Sequence, residues 1–504
     1  MTSMESLHPK IQVPVLTSVQ QALANLNKIE HEDGSCHYEW LVGSLFTGSE
    51  TDMLVMHYQC AMYERMLGIK MEARCVYQVE RDDDKRQHLL AHTSALHTFD
   101  DVSKLVSQQR LHCFRQDVDV VLPWVHTLVA GFPCTTRAKT SRTSHESKGC
   151  VQRSEGATGE GFLHVKHLIS KTKPLLVVLE NVIGLLETPG DSEDESLSDA
   201  DYICTELRKI GYGCSWFRFN AVEFGSPCVR DRIYLIGCLG ISDTKPISNM
   251  GHDILRGMKV EPFPISRFIE ADVKKVEQIT AMLQQPHSVP KGKQSDNASF
   301  RDEHFELFKF AGLDWPVRSS KLDREYYRVP AATCDRVVEV ILFLDRVFPA
   351  TKDVEFCDVN KNISWMTGWK MGSTPEEYQR RMQTSPWRAI PLTLVSQSIL
   401  AVRFRGSHIR ILEGWEHMSL IGWSHQNFNP GIPTVSHDCL VSLAGNAFSG
   451  FAAHPVFVAG LAMTAGCRTD RGPMPPTGDD DEAMSISDNA GWEDPGASGI
   501  NIPY

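Results

Sequence analysis

The sequence predicts an α/β fold, a mostly parallel sheet with interleaved helices, followed by a smaller and irregular second domain. Short apolar runs between about residues 40 and 240 alternate with helix-length segments, as in βα units. Several of these runs end abruptly in Gly, Glu, Asp or Cys, at the strand ends where open α/β sheets bind ligands. After Gly240 the rhythm is lost, and residues 241 to about 390 are rich in Pro, Lys, Arg and aromatics such as Phe263, Phe308, Trp315 and Trp387.

A chain of 504 residues with 42% apolar content can bury cores for two or more domains. Its 14 cysteines include no Cys-x-x-Cys pair, which argues against a zinc ribbon or a secreted disulfide framework. Met1 to Glu5 lack the basic and apolar regions of a signal peptide, and the longest apolar candidate, Phe451–Cys467, holds His454 and Pro455 and falls short of a membrane span. A soluble, intracellular, thiol-reduced protein is expected. The net charge of −12 is carried by two segments: Glu187–Asp201 at −7 and Arg468–Tyr504 at −6. The remainder is near neutral, so a basic groove for nucleic acid stays possible.

In chain order, Gln20 to Ile29 reads as a short helix. Leu41 to Phe46 is a first strand, followed by Thr47-Gly48-Ser49 and a helix capped by Thr51 or Asp52 and stopped by Gly68. Such a strand–turn–helix leaves backbone N–H groups beside a ligand. Arg74 to Val79 is a strand ending in Glu80-Arg81, where the Glu80 carboxylate is suited to accept ribose hydroxyl bonds, although 32 residues separate Gly48 from Glu80 where the dinucleotide fingerprint has roughly 20. Leu96 to Phe99 is a third strand, ending in Asp100-Asp101-Val102.

The fourth strand ends in Gly131-Phe132-Pro133-Cys134, presenting a candidate nucleophile at the sheet edge. A Ser/Thr/Gly-rich basic loop follows, with Arg137, Lys139, Arg142, Lys148 and Arg153 poised for a phosphate backbone. Pro174 to Leu179 is an apolar strand ending in Glu180-Asn181-Val182, where a buried glutamate is costly unless paired or used. A helix around Tyr202–Ile210 and a strand from Ser215 to Asn220 lead to Arg230-Asp231-Arg232, whose alternation puts both guanidiniums on one side, and to a return strand, Ile233–Gly237. Gly445-Asn446-Ala447-Phe448-Ser449-Gly450 opens a last apolar helix.

Together these segments resemble the cytosine-5 DNA methyltransferase family. Gly131-Phe132-Pro133-Cys134 looks like its nucleophile motif, Glu180-Asn181-Val182 its Glu-Asn-Val motif, and Arg230-Asp231-Arg232 its Arg-x-Arg segment. Phe46-Thr47-Gly48 resembles the first cofactor motif. Arg410-Ile411-Leu412 with Glu416 and Leu420–Trp423 resembles the motif closing the recognition domain, and Gly445-Asn446 the last motif. The resemblance implies a Rossmann-like class I methyltransferase sheet, mostly parallel with its last strand antiparallel. The implied organisation is an extension 1–38, a catalytic core 39–240, a target-recognition domain 241–405, a return to the core 406–467 and an acidic disordered tail 468–504.

It also implies S-adenosylmethionine as cofactor, with Phe46, Gly48, Ser49, Glu80, Arg81, Asp101, Val102, Pro133, Asn446 and Ala447 around it. Cys134, Glu180, Arg230 and Arg232 would be the catalytic set. The implied partner is double-stranded DNA held in part by Arg137, Lys139, Arg142 and Lys148, with no metal and no membrane, in a monomer that is nuclear if eukaryotic and otherwise cytoplasmic. Three positions depart from the family pattern: Glu50 replaces the usual second glycine and could crowd the cofactor's carboxylate, Thr135 follows Cys134, and Cys228 precedes Arg-x-Arg in place of Gln.

The implied chemistry explains the residue types. A thiolate adding to cytosine C6 makes C5 nucleophilic, and a cysteine needs a lowered pKa, to which Arg137 could contribute. Glu180 with a raised pKa could protonate or bond N3, while Arg232, with Arg230, would hold O2. The target atom is unreachable in a duplex, so the base must be flipped out. Two alternatives stay open: the same chemistry on tRNA, and a non-catalytic DNA-binding or silencing protein on a methyltransferase scaffold.

Overall fold

The computed structural model describes residues 13–134, 148–188, 197–242, 244–285, 297–314, 335–348, 350–359, 372–383, 386–391, 393–407, 409–429 and 431–467. All of these belong to one compact unit running to Asp470; a second unit, Arg471–Tyr504, lies outside the described residues, as does the tail expected from 468.

The chain begins with α1 (Val13–Ala22), a 3-10 turn (Leu23–Asn25) and β1 (Asn27–Glu30). The helix expected at Gln20–Ile29 is therefore displaced toward the N-terminus, because Asn27–Glu30 pairs antiparallel with the start of β2 (Cys36–Leu45). Next come α2 (Thr51–Leu67), β3 (Met71–Val79), α3 (Asp83–His92), β4 (His97–Phe99) and α4 (Val102–Ser107). A hairpin of β5 (Leu111–Cys113) and β6 (Val118–Val120) precedes β7 (Thr127–Ala130). Then follow α5 (Gly156–Thr172), β8 (Leu176–Val182), α6 (Asp199–Lys209), β9 (Tyr212–Asn220) and β10 (Asp231–Leu239).

The main sheet has the order β4-β3-β2-β7-β8-β10-β9, with β1 flanking β2. β2, β3, β4, β7 and β8 run parallel, and β10 lies antiparallel between β8 and β9. This is the α/β fold with an antiparallel last strand. β8 shows why the sheet is stable: Leu176 and Val178 enter one apolar core, Val177 and Leu179 the other, and all four are fully buried. Each such side chain contributes roughly 1.5–3 kcal/mol of burial, and a strand covered on both faces reads as an unbroken apolar run.

Residues 241–390 are more helical than the sequence suggested. They hold α7 (Thr244–Gly257), α8 (Val273–Met282), α9 (Asn297–Phe310), α10 (Asp335–Val347) and α11 (Pro375–Met382). Packing also changes later than residue 240: Ile254, Leu255, Phe268, Ile269 and Val276 share the core that contains Trp40 and Tyr234. A separate apolar cluster forms around Leu307, Phe308, Ile341, Phe343, Trp387, Ala401 and Ile411. It is backed by a small antiparallel sheet of β11 (Val354–Asp358), β12 (Leu400–Phe404) and β13 (Arg410–Ile411). Helices α12 (Gly414–Ser419), α13 (His437–Asn446) and α14 (Gly450–Met463) return to the main core. Every residue of α14 is buried, which explains its apolar sequence on all faces.

Candidate active site

The segment Phe132-Pro133-Cys134 leaves the carboxyl end of β7 beside the carboxyl end of β8. The amide of Asn181 anchors it, with Nδ2 donating to the Phe132 carbonyl at 3.0 Å and Oδ1 accepting from the Val182 N–H at 2.9 Å. Sequence reasoning named the motif but assigned no task to Asn181, whose signal was its place next to Glu180 at the end of an apolar strand. Cys134 is partly buried and is a free thiol.

Glu180 lies within β8, which extends to Val182 and not only to Leu179. In the antiparallel register Glu180 faces Tyr234, and Arg232 faces Val182. Residues alternate across a strand, so Glu180, Arg232 and Tyr234 share one sheet face. Arg232 Nε reaches Glu180 Oε1 at 3.1 Å. Burial pushes the Glu180 carboxyl above its ordinary range, against the opposing pull of Arg232 and Arg230.

Burial also raises the Cys134 thiol, and Glu180 raises it further, while Arg232 and Arg230 draw it down. The net direction is upward, so a lowered thiol pKa is not a property of these groups alone. Arg137, the residue expected to lower it, lies outside the described residues with Lys139 and Arg142. Lys148 is described and partly exposed at the end of that stretch.

Arg230 behaves differently from Arg232. Its side chain is buried; Nη1 donates to the Gly445 carbonyl at 3.1 Å and Nη2 to the Ala447 carbonyl. Burial lowers its pKa to about 10, which leaves it charged at neutral pH. Both guanidiniums act electrostatically on Cys134 and Glu180, as the alternation suggested, but Arg230 is held on backbone. Cys228 is buried beside a turn in which Ser226 Oγ bonds the Cys228 N–H and carbonyl.

The three strand ends of the expected cofactor site also adjoin. Glu80 Oε2 accepts from the Gly48 N–H at 3.0 Å and Oε1 from the Asp82 N–H at 3.0 Å, so β3 and the loop after β2 are tied together. Phe46 and Gly48 have φ of 54° and 60°, and the space where a Gly48 side chain would project is empty to 4 Å. The loop is thus bare on its outer side, a surface onto which a ligand can pack. Ser49 is buried, its hydroxyl bonded to Thr51 at 2.8 Å. Asp101 caps α4 through the Ser103 N–H at 2.8 Å, with Val102 buried behind it; against the upward push of burial, the Ser103 N–H and hydroxyl draw the Asp101 carboxyl down, and the charge of the exposed Arg81 adds to that. Pro133 sits against α5 and is partly buried, Asn446 is exposed and Ala447 is buried.

Two expectations about this loop are corrected. The N-cap of α2 is Glu50 and not Thr51 or Asp52; Glu50 takes the left-handed conformation, φ 55° and ψ 32°, that glycine adopts most readily. Its side chain is buried within the protein. It is 7% exposed, with Asp52, Cys75, Thr93 and Arg115 as neighbours, and burial raises its pKa to about 8. Asp52 is buried too, bonded to Ser44 Oγ at 2.7 Å, its pKa raised to about 6. Trp423 Nε1 bonds Thr51 Oγ1 at 3.0 Å, so the 420–423 segment braces the start of α2. Arg410 and Glu416 form a buried two-pronged ion pair, 2.6 and 2.7 Å, which seals the return to the core.

A family model described as C-5 cytosine-specific DNA methylase matches residues 66–324. A Type II methyltransferase of Neisseria gonorrhoeae, M.NgoBV, is 31% identical over 160 residues, 31% of this chain and 35% of the relative. Type II methyltransferase M.DsaV of Dactylococcopsis salina is 26% identical over 168 residues, 33% of this chain and 40% of the relative. The matched segments therefore span about a third to two fifths of these curated relatives. The S. pombe Dnmt2 methyltransferase structure is 12% identical, covering 84% of this chain and 98% of its own, with a TM-score of 0.40.

Proposed function

This chain belongs to the C-5 cytosine-specific DNA methylase family, and we propose that it methylates C5 of cytosine in DNA through a covalent adduct at Cys134. The observation that carries the proposal is the meeting of Cys134, Glu180 and Arg232 at adjoining strand ends, with Asn181 fixing the approach of the thiol.

The residues present fit S-adenosylmethionine. A bare left-handed loop at Phe46–Gly48 is joined by Glu80 and Asp101, two carboxylates placed to accept hydroxyl or amine hydrogens. Ser49, Arg81, Val102, Pro133, Asn446 and Ala447 would complete the enclosure. The cofactor supplies an electrophilic methyl group. What the chain supplies is activation of the acceptor. The Cys134 thiolate adds to C6 of a flipped cytosine, forming the S–C6 bond and moving the C5–C6 π electrons onto C5. Glu180 delivers a proton to N3, a task its raised pKa suits, and is re-formed as a carboxylate beside Arg232. Arg232 stabilises the negative charge that grows toward O2. After C5 is substituted, loss of its proton to a base returns the electron pair to C5–C6 and breaks the S–C6 bond, releasing the thiolate, while N3 returns its proton to the Glu180 carboxylate.

Lys148, with Arg137, Lys139 and Arg142, would hold the phosphate backbone, and the helical segment with the small β11–β13 sheet would meet flanking bases. The test is a duplex carrying 5-fluorocytosine with S-adenosylmethionine. Because fluorine cannot leave as a proton does, the adduct persists; a denaturation-resistant species absent from Cys134→Ala is the expected result. An adduct on tRNA and none on DNA would move the activity to RNA, and no adduct with either would favour a non-catalytic scaffold.

A further inference from the structure

Arg230 donates both terminal nitrogens to one turn, at the Gly445 and Ala447 carbonyls. These carbonyls close α13, where helix ends carry partial negative charge and welcome a cation. A planar guanidinium can span two such acceptors, whereas an ammonium cannot match the fork.

The gripped turn touches the reacting segment. A Cβ on Gly131 would lie 3.4 Å from Phe448 Cζ and 3.8 Å from Glu180 Oε2, so the Phe448 ring rests on the strand end that leads to Cys134. The same ring stacks on Tyr234, centroids 6.2 Å apart, and Tyr234 faces Glu180 in the ladder. On its other side the turn meets the approach to β12: a methyl group at Gly445 would overlap the backbone of Val395 and Ser396. Just before Arg230, the Val229 N–H donates to the Pro391 carbonyl at 3.2 Å.

We propose that Arg230 is a positioning residue: by clamping the 445–447 turn it seats Phe448 on Gly131, sets Cys134 against Glu180 and Arg232, and ties that geometry to Pro391 and to Val395–Ser396, which precede the small sheet's β12. The proposal rests on the methyltransferase reading above. It gives Arg230 a task other than holding the cytosine, the role its sequence motif suggested.

Hydrogen exchange on the full chain tests the clamp without requiring activity. Arg230→Lys should speed amide exchange in 128–134 and in 443–450 by about tenfold or more, the scale of one lost charge-assisted hydrogen bond. Arg232→Lys should leave both segments unchanged. Phe448→Leu, which keeps the Arg230 bonds, should speed exchange in 128–134 but not in 443–447, and it serves equally if Arg230→Lys does not fold. Single-turnover methylation supplies the second readout: the Arg230→Lys and Phe448→Leu losses should be strongly non-additive. Unchanged exchange at 128–134 in Arg230→Lys, in Phe448→Leu when only that variant folds, or rate losses that simply multiply, would overturn the proposal. If wild type methylates no DNA, the methyltransferase reading fails, while the exchange data still decide the clamp.

Discussion

Replacing Glu50 by Gln should stabilise the protein by an amount that grows with pH. The folded carboxyl has its pKa raised from 4.5 to about 8, chiefly by burial and next by the charge of Asp52. Its contribution is therefore fully present below about pH 4.5 and is lost as pH rises through about 8, because the unfolded chain gives up a proton that the folded chain keeps. Between these limits the loss is about 1.4 kcal/mol per pH unit, or about 2.7 kcal/mol from about pH 5.5 to about 7.5. A glutamine does not titrate, so its advantage over wild type should widen by that amount. Asp52, raised to about 6, shifts in the same direction but is present in both proteins and largely cancels. Arg115 keeps its bonds to the Leu89, Leu90 and Thr93 carbonyls and is not orphaned by the change. Glu50→Gly should show the same pH slope, with an offset within about 1 kcal/mol: relief of the left-handed conformation opposes the loss of two buried methylenes. Urea unfolding of the three proteins at several pH values provides the measurement. A wild-type-minus-variant difference that is flat with pH, or that shrinks, refutes the reasoning and places an ionised Glu50 in the folded state.

Other consequences follow from the same geometry. Glu180→Gln should lower the single-turnover rate by about 10²- to 10⁴-fold while sparing DNA binding. Because Glu180 raises the Cys134 pKa and Arg232 lowers it, iodoacetamide labelling of Cys134 should shift to lower pH in Glu180→Gln and to higher pH in Arg232→Gln; the opposite order would contradict the electrostatics. Asn181→Ala removes the Phe132 carbonyl's partner and should cost about 1–3 kcal/mol in chemical unfolding. Arg410→Met leaves Glu416 buried without its cation and should cost about 3–5 kcal/mol, read as a lowered Tm.

How much was legible in the sequence depends on the range of the forces involved. β8 announced itself because burial on both faces selects an unbroken apolar run, and the chemical residues at strand ends were visible because short motifs are contiguous. The N-terminal helix was misplaced because Asn27–Glu30 becomes a strand only by pairing with β2. The helices beyond residue 240 were missed because their apolar faces are interleaved with Pro, Lys and Arg, and the shared core of 254–276 arises from contacts distant in sequence.

The sequence by itself determined the α/β class, the order of its strand ends and the types of group they carry, since periodicity and local motif chemistry need no distant partner. Tertiary structure alone decided what each group faces. Glu50 looked like a threat to the cofactor, and folding buries it among Asp52, Cys75, Thr93 and Arg115, groups that lie up to sixty-five residues away in the chain. Arg230 and Arg232 are equivalent in the motif. The register puts one beside Glu180, and the return of α13 from more than two hundred residues away captures the other. The separation of their roles comes from long-range packing, which no spacing within the motif encodes.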